Sequence, residues 1–284
     1  MDFVRKLVQS QIAAIGLAIV LVVVVCAIFG PWLVPFDPGD QDIMQRMLPP
    51  LARSDTGALH LLGTDALGRD LLSRLIMGSR VSLLVGVASV LISGLVGVVL
   101  GLLAGYDDRH IGRFLMGLAD VQLAVPFLVL ALAVVAVLGP SLLNLILVLG
   151  ITSWVQFARI VRAEVLVLRE REFIQSARAL GAATWRVMFL HLLPNVMSSV
   201  IVIGSMQIGK MILFEASLSF LGLGVPANIP TWGGMIADGR SYVATEWWLA
   251  AVPGMAIFVT VVGINLLGDR LRDLLDPRLN ALDR

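Results

Sequence analysis

Two ionisable side chains, Lys210 and Glu215, interrupt the apolar run that follows Pro194. Unpaired charge is costly in hydrocarbon, so residues of this kind face a bundle interior or a watery cavity. At about 100° per residue, their five-residue offset sets them about 140° apart on a helix, which makes them poor partners for each other. Glu215 reads better as a structural group near the outer end of its helix. Lys210, one of only two lysines in the chain, stays open between pairing elsewhere in the bundle and lining a path through it. A second charged group, Asp65, Arg69 and Asp70, sits in the stretch His60-Leu61-Leu62-Gly63-Thr64-Asp65-Ala66-Leu67-Gly68-Arg69-Asp70. Covalent chemistry has no visible home: there is no Gly-rich phosphate loop and no constellation of nucleophile and base. The single cysteine, Cys26, permits neither an internal disulfide nor a thiolate cluster for a metal.

The elements that must position these groups are membrane helices. Of 284 residues, 58% are hydrophobic and 14% charged, against roughly a quarter charged in soluble domains. A soluble chain of this size could not hide so much apolar surface, so lipid must be part of its solvent. A net charge of +1 gives no reason to expect nucleic acid as a partner. About 20 apolar residues cross a bilayer core, and the apolar runs predict six spans in an all-α polytopic protein. They fall near 8–29, 81–106, 116–138, 142–161, 195–220 and 247–268. The first run is far too long for a signal-peptide core and reads as a retained anchor. Leu138-Gly139-Pro140-Ser141 marks a tight turn between spans three and four, and Pro126 is expected to kink span three. Trp232, Trp247 and Trp248 suit an interfacial belt. Asp120 is expected near the start of its helix, where an acid complements the dipole, and Asn144 and Gln156 could donate across helix contacts. Gly97, Gly101 and Gly105 fall four apart on one face of span two, a spacing that favours close packing over a moving hinge.

Charge orients the bundle. With the amino terminus inside, cytoplasmic segments hold fourteen positive residues: Arg5, Lys6, Arg109, Arg113, Arg159, Arg162, Arg169, Arg171, Arg178, Arg186, Arg270, Arg272, Arg278 and Arg284. The other side holds six, namely Arg46, Arg53, Arg69, Arg74, Arg80 and Arg240. The excess places both termini in the cytoplasm. Two loops are long. The outer one, 37–80, ends in an amphipathic stretch over Gly68–Gly78, with Asp70 and Arg74 as an i,i+4 pair. It reads either as a helix lying on lipid or as a cap on the outer mouth that touches a partner. The inner loop, 162–194, carries Phe173, Ala177 and Leu180 at i, i+4 and i+7, and Gly181 is placed to end that helix in a left-handed cap. The chain thus divides into 1–80, an anchor helix with its outer loop, and 81–284, a five-helix core containing the inner loop.

At this inner loop a resemblance enters. Gln175-Ser176-Ala177, Gly181 and Leu193-Pro194 resemble the cytoplasmic signature of binding-protein-dependent ABC importer permeases, with Gln175 and Ser176 standing where that pattern has glutamate and alanine. The stretches 60–70, Glu215–Gly224 and Asn265–Pro277 look like the C-type subunit of the dipeptide/oligopeptide branch, whose relatives also serve nickel and glutathione. The resemblance implies a type I importer permease: one membrane subunit beside a homologous second permease, two cytoplasmic ATPases and an external solute-binding protein. ATP and magnesium would be bound by the ATPases, no cofactor would be held by this chain, and the chain would not be an enzyme. Glu172, Phe173, Gln175, Ser176, Ala177, Arg178, Leu180 and Gly181 would form the coupling helix that contacts an ATPase. Lys210 and Glu215 become candidates for the translocation path, with Lys210 contacting a peptide carboxylate or tuning cavity charge. Asp65, Arg69 and Asp70 become candidates for an outer gate or a binding-protein contact. A secondary transporter or channel without ATPases is one rival reading, and a purely structural or assembly membrane protein is another.

Overall fold

The computed structural model describes residues 10–55, 57–226 and 228–275. The charges at Arg5, Lys6, Arg278 and Arg284, the first two positions of the expected span 8–29, and the last two residues of the 265–277 stretch lie outside them. Among the described residues the named strands are one antiparallel pair of two residues each, β1 (Ala52–Arg53) and β2 (Leu59–His60), and the other regular elements are helices. The helices are α1 (Gln11–Leu33), α2 (Leu71–Tyr106), α3 (Ile111–Leu123), α4 (Phe127–Leu138), α5 (Leu142–Thr152), α6 (Trp154–Leu168), α7 (Glu172–Ala179), α8 (Thr184–Phe220), α9 (Trp232–Gly239) and α10 (Trp248–Leu275). Five stretches are long and apolar enough to cross a membrane, α5 with α6 counting as one; α3 with α4 gives a sixth if that bent pair is one span. The exposed faces of α1 and α2 carry Ile12, Ile15, Leu21, Leu91 and Leu95, the pattern of helices solvated by lipid.

Span three differs from expectation. Instead of one kinked helix, α3 and α4 meet at 85°. Pro126 lacks an N–H and disfavours helical backbone in the residue before it, so the helix stops at Leu123 and restarts at Phe127. Asp120 consequently lies in the last turn of α3, where its charge opposes the dipole. Arg159 on α6 offsets this with an ion pair at 2.5 Å. Asn144 donates to the carbonyls of Leu138 and Gly139 at 2.9 and 3.1 Å, closing the turn between α4 and α5. Pro194 does not open a helix either, because α8 begins ten residues earlier. A π turn over Val187–Leu192 precedes the proline and accommodates its missing donor.

The centre of the bundle is the contact between α2 and α6. A β-carbon added at Gly97 would lie 2.5 Å from the Trp154 carbonyl oxygen, at Gly101 2.7 Å from Val161 Cβ, and at Gly105 2.6 Å from Val165 Cβ. The glycine stripe therefore serves close packing. Val85, Val90, Leu145, Leu149 and Phe157 fill the core beside it.

The outer loop is folded against the start of α2. The expected helix over 68–78 is not a separate piece on lipid: α2 runs unbroken from Leu71, so position 80 falls inside it. Asp70 caps that helix, accepting from the Ser73 amide at 2.7 Å, and pairs with His60 at 2.8 Å. It makes no pair with Arg74. Arg74 instead reaches Asp65 at 3.5 Å and Asp238 on α9 at 3.7 Å, while Arg69 bonds the same two carboxylates at 2.6 and 3.3 Å. Gly68, at φ +77, is needed because a side chain there would collide with the Asp42 carbonyl. Trp232 is not an interfacial residue; it is buried and donates from Nε1 to the Leu75 carbonyl at 2.9 Å. Trp247 is exposed and Trp248 buried, so the expected belt is reduced to one tryptophan of three.

Three outcomes are expected. Gly101→Leu overpacks the α2–α6 contact and lowers stability by about 1 to 3 kcal/mol or prevents assembly. Gly117→Ala, with open space around it, leaves stability unchanged or raised by up to about 1 kcal/mol. Thermal melts in detergent separate them. Asp65→Asn strips a shared carboxylate from two buried guanidiniums and costs about 3 to 5 kcal/mol, read in the same assay.

Candidate functional site

On one side of the bundle, α7 is a two-turn helix held away from the spans. Ile174 is its anchor. Fully buried, it packs with Val161, Val165, Val187 and Leu192. The apolar face read from Phe173 and Leu180 points the other way: Phe173 is 47% exposed and Leu180 89% exposed. Gly181 adopts φ +79, and two hydrogen bonds close the end, from the Gly181 amide to the Arg178 carbonyl and from the Ala182 amide to the Ala177 carbonyl. This is the Schellman arrangement that glycine makes accessible. The Arg178 guanidinium lies over the Tyr106 ring at 4.5 Å, joining α7 to the end of α2. Gln175 donates to the Glu170 carbonyl at 3.2 Å, and Glu172 and Ser176 are exposed. Arg162 ties α6 to the α2–α3 turn through Asp108 at 2.6 Å; the hydrogen bond from Arg162 holds the Asp108 carboxyl below its ordinary value. That tie forms fully above the ordinary carboxylate range and is lost only as pH falls through the lowered value.

A cleft of about 200 Å³ opens at the α3–α4 break, lined by Gln122, Pro126, Phe127, Ser153, Gln156, Gln207, Lys210 and Phe214 among others. Breaking a helix inside a membrane frees backbone carbonyls that need partners. Gln122 at the end of α3 crosses to α5 and α6: its Nε2 donates to the Thr152 carbonyl at 2.5 Å and its Oε1 accepts from Trp154 Nε1 at 2.9 Å. Gln207 donates to Gln156 across the α6–α8 contact. Phe127 and Phe214 stack with centroids 4.1 Å apart, and the Lys210 ammonium sits 5.5 Å from the Phe214 centroid.

The structure separates Lys210 and Glu215 on α8. Lys210 lines the cleft and Glu215 does not. Glu215 has no exposed surface; it accepts from Ser82 at 3.2 Å and Ser219 at 2.8 Å, with Thr231 also bonded to it. It fastens α8 to α2 and to the start of α9. Asp65, Arg69 and Asp70 are buried as well. Asp238, the partner of Arg69 and Arg74 with its side chain 47% exposed, is the part of the network that meets solvent. Sequence reading missed Ile174, Gln122, Trp154 and Asp238. Ile174 falls between Phe173 and Gln175 and is the opposite-face apolar residue of a short helix, so a second phase of the same periodicity would have found it. Asp238 carried no local signal.

Comparison with known proteins agrees with this arrangement. Residues 97–281 match the family described as the binding-protein-dependent transport system inner membrane component, and residues 1–50 match the N-terminal membrane domain of oligopeptide transport permease C. The chain is 44% identical to the di/tripeptide transport system permease protein of Pseudomonas aeruginosa over 98% of this chain and 92% of that one. It is 41% identical to the glutathione transport system permease protein of Pectobacterium atrosepticum over 99% and 91%. The fold is similar to that of the inward-facing MetNI methionine ABC transporter, with a TM-score of 0.59 and 17% identity over 72% of this chain and 96% of that one. A broken span beside a bundle cleft, a capped helix projecting from the inner loop and these matches together place the chain in the family of binding-protein-dependent ABC importer permeases, of which it is a C-type membrane subunit.

Proposed function

We propose that this chain works with a homologous second permease to carry di- and oligopeptides across the cytoplasmic membrane, driven by two ATPase subunits and fed by an extracytoplasmic solute-binding protein. ATP and magnesium belong to the ATPases. Both termini lie in the cytoplasm, on the side of α7. The observation that carries the reading is α7 itself, a helix anchored by Ile174, closed at Gly181 and presenting Phe173 and Leu180 to solvent. An apolar face exposed at that level of a polytopic protein calls for a protein partner, and the family supplies an ATPase cleft. Gln175 takes the place of the family's glutamate and keeps polar reach without charge. On the opposite side, Asp65, Arg69, Asp70, Arg74 and Asp238 form the outer gate, its ion pairs remade as α9 moves against the start of α2. Peptide is favoured as the cargo by the di/tripeptide relative; a glutathione cargo is supported by the nearly equal second relative.

Alternating access is an equilibrium between two arrangements, and ATP shifts it through contacts that differ between them. Force on α7 reaches the bundle through Ile174 and the buried cluster beneath it, and through Arg178 on Tyr106. The α2–α6 glycine contact carries it onward as one rigid unit.

Three results test this. The chain reconstituted in vesicles with its ATPases, second permease and binding protein should hydrolyse ATP faster and accumulate solute when given peptides; accumulation by the chain alone without ATP would instead establish a secondary transporter. Cysteines at Phe173 and Ala177 should crosslink to an ATPase subunit. Leu180→Glu should reduce coupled uptake by about tenfold without unfolding the chain, whereas Ile174→Ala should destabilise it by about 2 to 5 kcal/mol.

A further inference from the structure

Among the polar groups lining the cleft, the amides are already engaged. Gln122 uses both ends of its side chain, on Thr152 and Trp154, and Gln207 bonds to Gln156. Ser153 is turned to the Met211 sulfur at 3.7 Å. Lys210 is different. Half-buried on α8, its ammonium makes no ion pair and no hydrogen bond among the described residues. Its charge is met there only by the face of Phe214. A cation on a membrane helix normally finds a counter-charge or a carbonyl, because hydrocarbon offers neither. Asp120, Glu164 and Glu215 are each committed elsewhere: Asp120 to Arg159, Glu164 to Ser199 and Glu215 to its three hydroxyls.

We infer that Lys210 is the group on this chain that receives the carboxylate of the transported solute as it passes the α3–α4 break. The inference deepens the importer reading and rests on it. A cleft of about 200 Å³ admits one end of a peptide, and the stacked Phe127 and Phe214 rings give its side chains an apolar wall. The Pro126 break provides the room, since only a cavity tolerates irregular backbone at this depth. A single ammonium is a point charge with three rotatable donors, suited to holding an anionic terminus briefly and releasing it.

The test uses the full reconstituted complex at saturating binding protein and compares a free-acid tripeptide with the same tripeptide amidated at its carboxyl end. Wild type should move the acid faster than the amide. Lys210→Met should lower uptake of the acid about tenfold and leave the amide unchanged, so that the preference disappears. Lys210→Arg should restore it. Basal ATP hydrolysis and co-purification of the second permease should be the same in all variants. Equal losses for both peptides, an unchanged preference in Lys210→Met, or loss of the second permease from that variant would each overturn the inference; the last would make Lys210 an intersubunit contact. A wild-type complex that moves no peptide at all would overturn the importer reading instead.

Discussion

Hydrocarbon offers no hydrogen bonds, and that constraint decides where every polar group in this chain goes. It makes the spans helical, since a helix satisfies its own backbone. It also explains the device at the single broken span. Pro126 interrupts the helix, and Gln122, Thr152 and Trp154 close the gap with two hydrogen bonds between α3 and the α5–α6 junction. Glu215 obeys the same rule by gathering hydroxyls from α2, α8 and the start of α9. Lys210 is the exception that gives the cleft its character.

The second organising feature is the absence of α2 side chains where it meets α6. With β-carbons missing at Gly97, Gly101 and Gly105, the two backbones meet within contact distance. Close-packed elements transmit displacement because they have no slack to absorb it. α6 also carries Val161 and Val165, which form part of the cluster under Ile174, so the mount of α7 and the wall of the cleft belong to one packed unit. At the other end of α2 the tie is electrostatic: Arg69 and Arg74 share Asp65 and Asp238 across three elements. An apolar seam fixes one half of the bundle and an ionic network the other.

Much of this was legible in the sequence. Apolar runs located the membrane helices, although α2 and α8 begin ten or eleven residues before Arg80 and Pro194 suggested, and the glycine spacing announced its contact. Gly181 ended α7 in the left-handed conformation expected of it. The failures share a physical cause. The amphipathic stretch before position 80 looked like an interfacial helix because Arg74 and Asp70 sit one turn apart, but each is claimed by a more distant partner, Asp238 and His60. Trp232 looked like a belt residue because burial by a neighbouring helix start is invisible in a linear chain. Asp120 was placed at the wrong end of its helix because the break at Pro126 is a sharp bend, not a kink. Long-range contacts decided the first two and a local backbone break the third, and periodicity reports on neither.

The central claim is that motion imposed on α7 changes access to the cleft beside Lys210. Replacing Cys26 by serine and placing one cysteine at Leu130, on the cleft wall, gives a direct measurement: its reaction rate with a membrane-impermeant thiol reagent added from the outer side of the reconstituted complex. The rate should rise when the ATPases are trapped with ATP and fall when nucleotide is removed, and Leu180→Glu should abolish the difference. A rate that is the same in both nucleotide states, in a complex that still hydrolyses ATP and imports solute, would contradict the account.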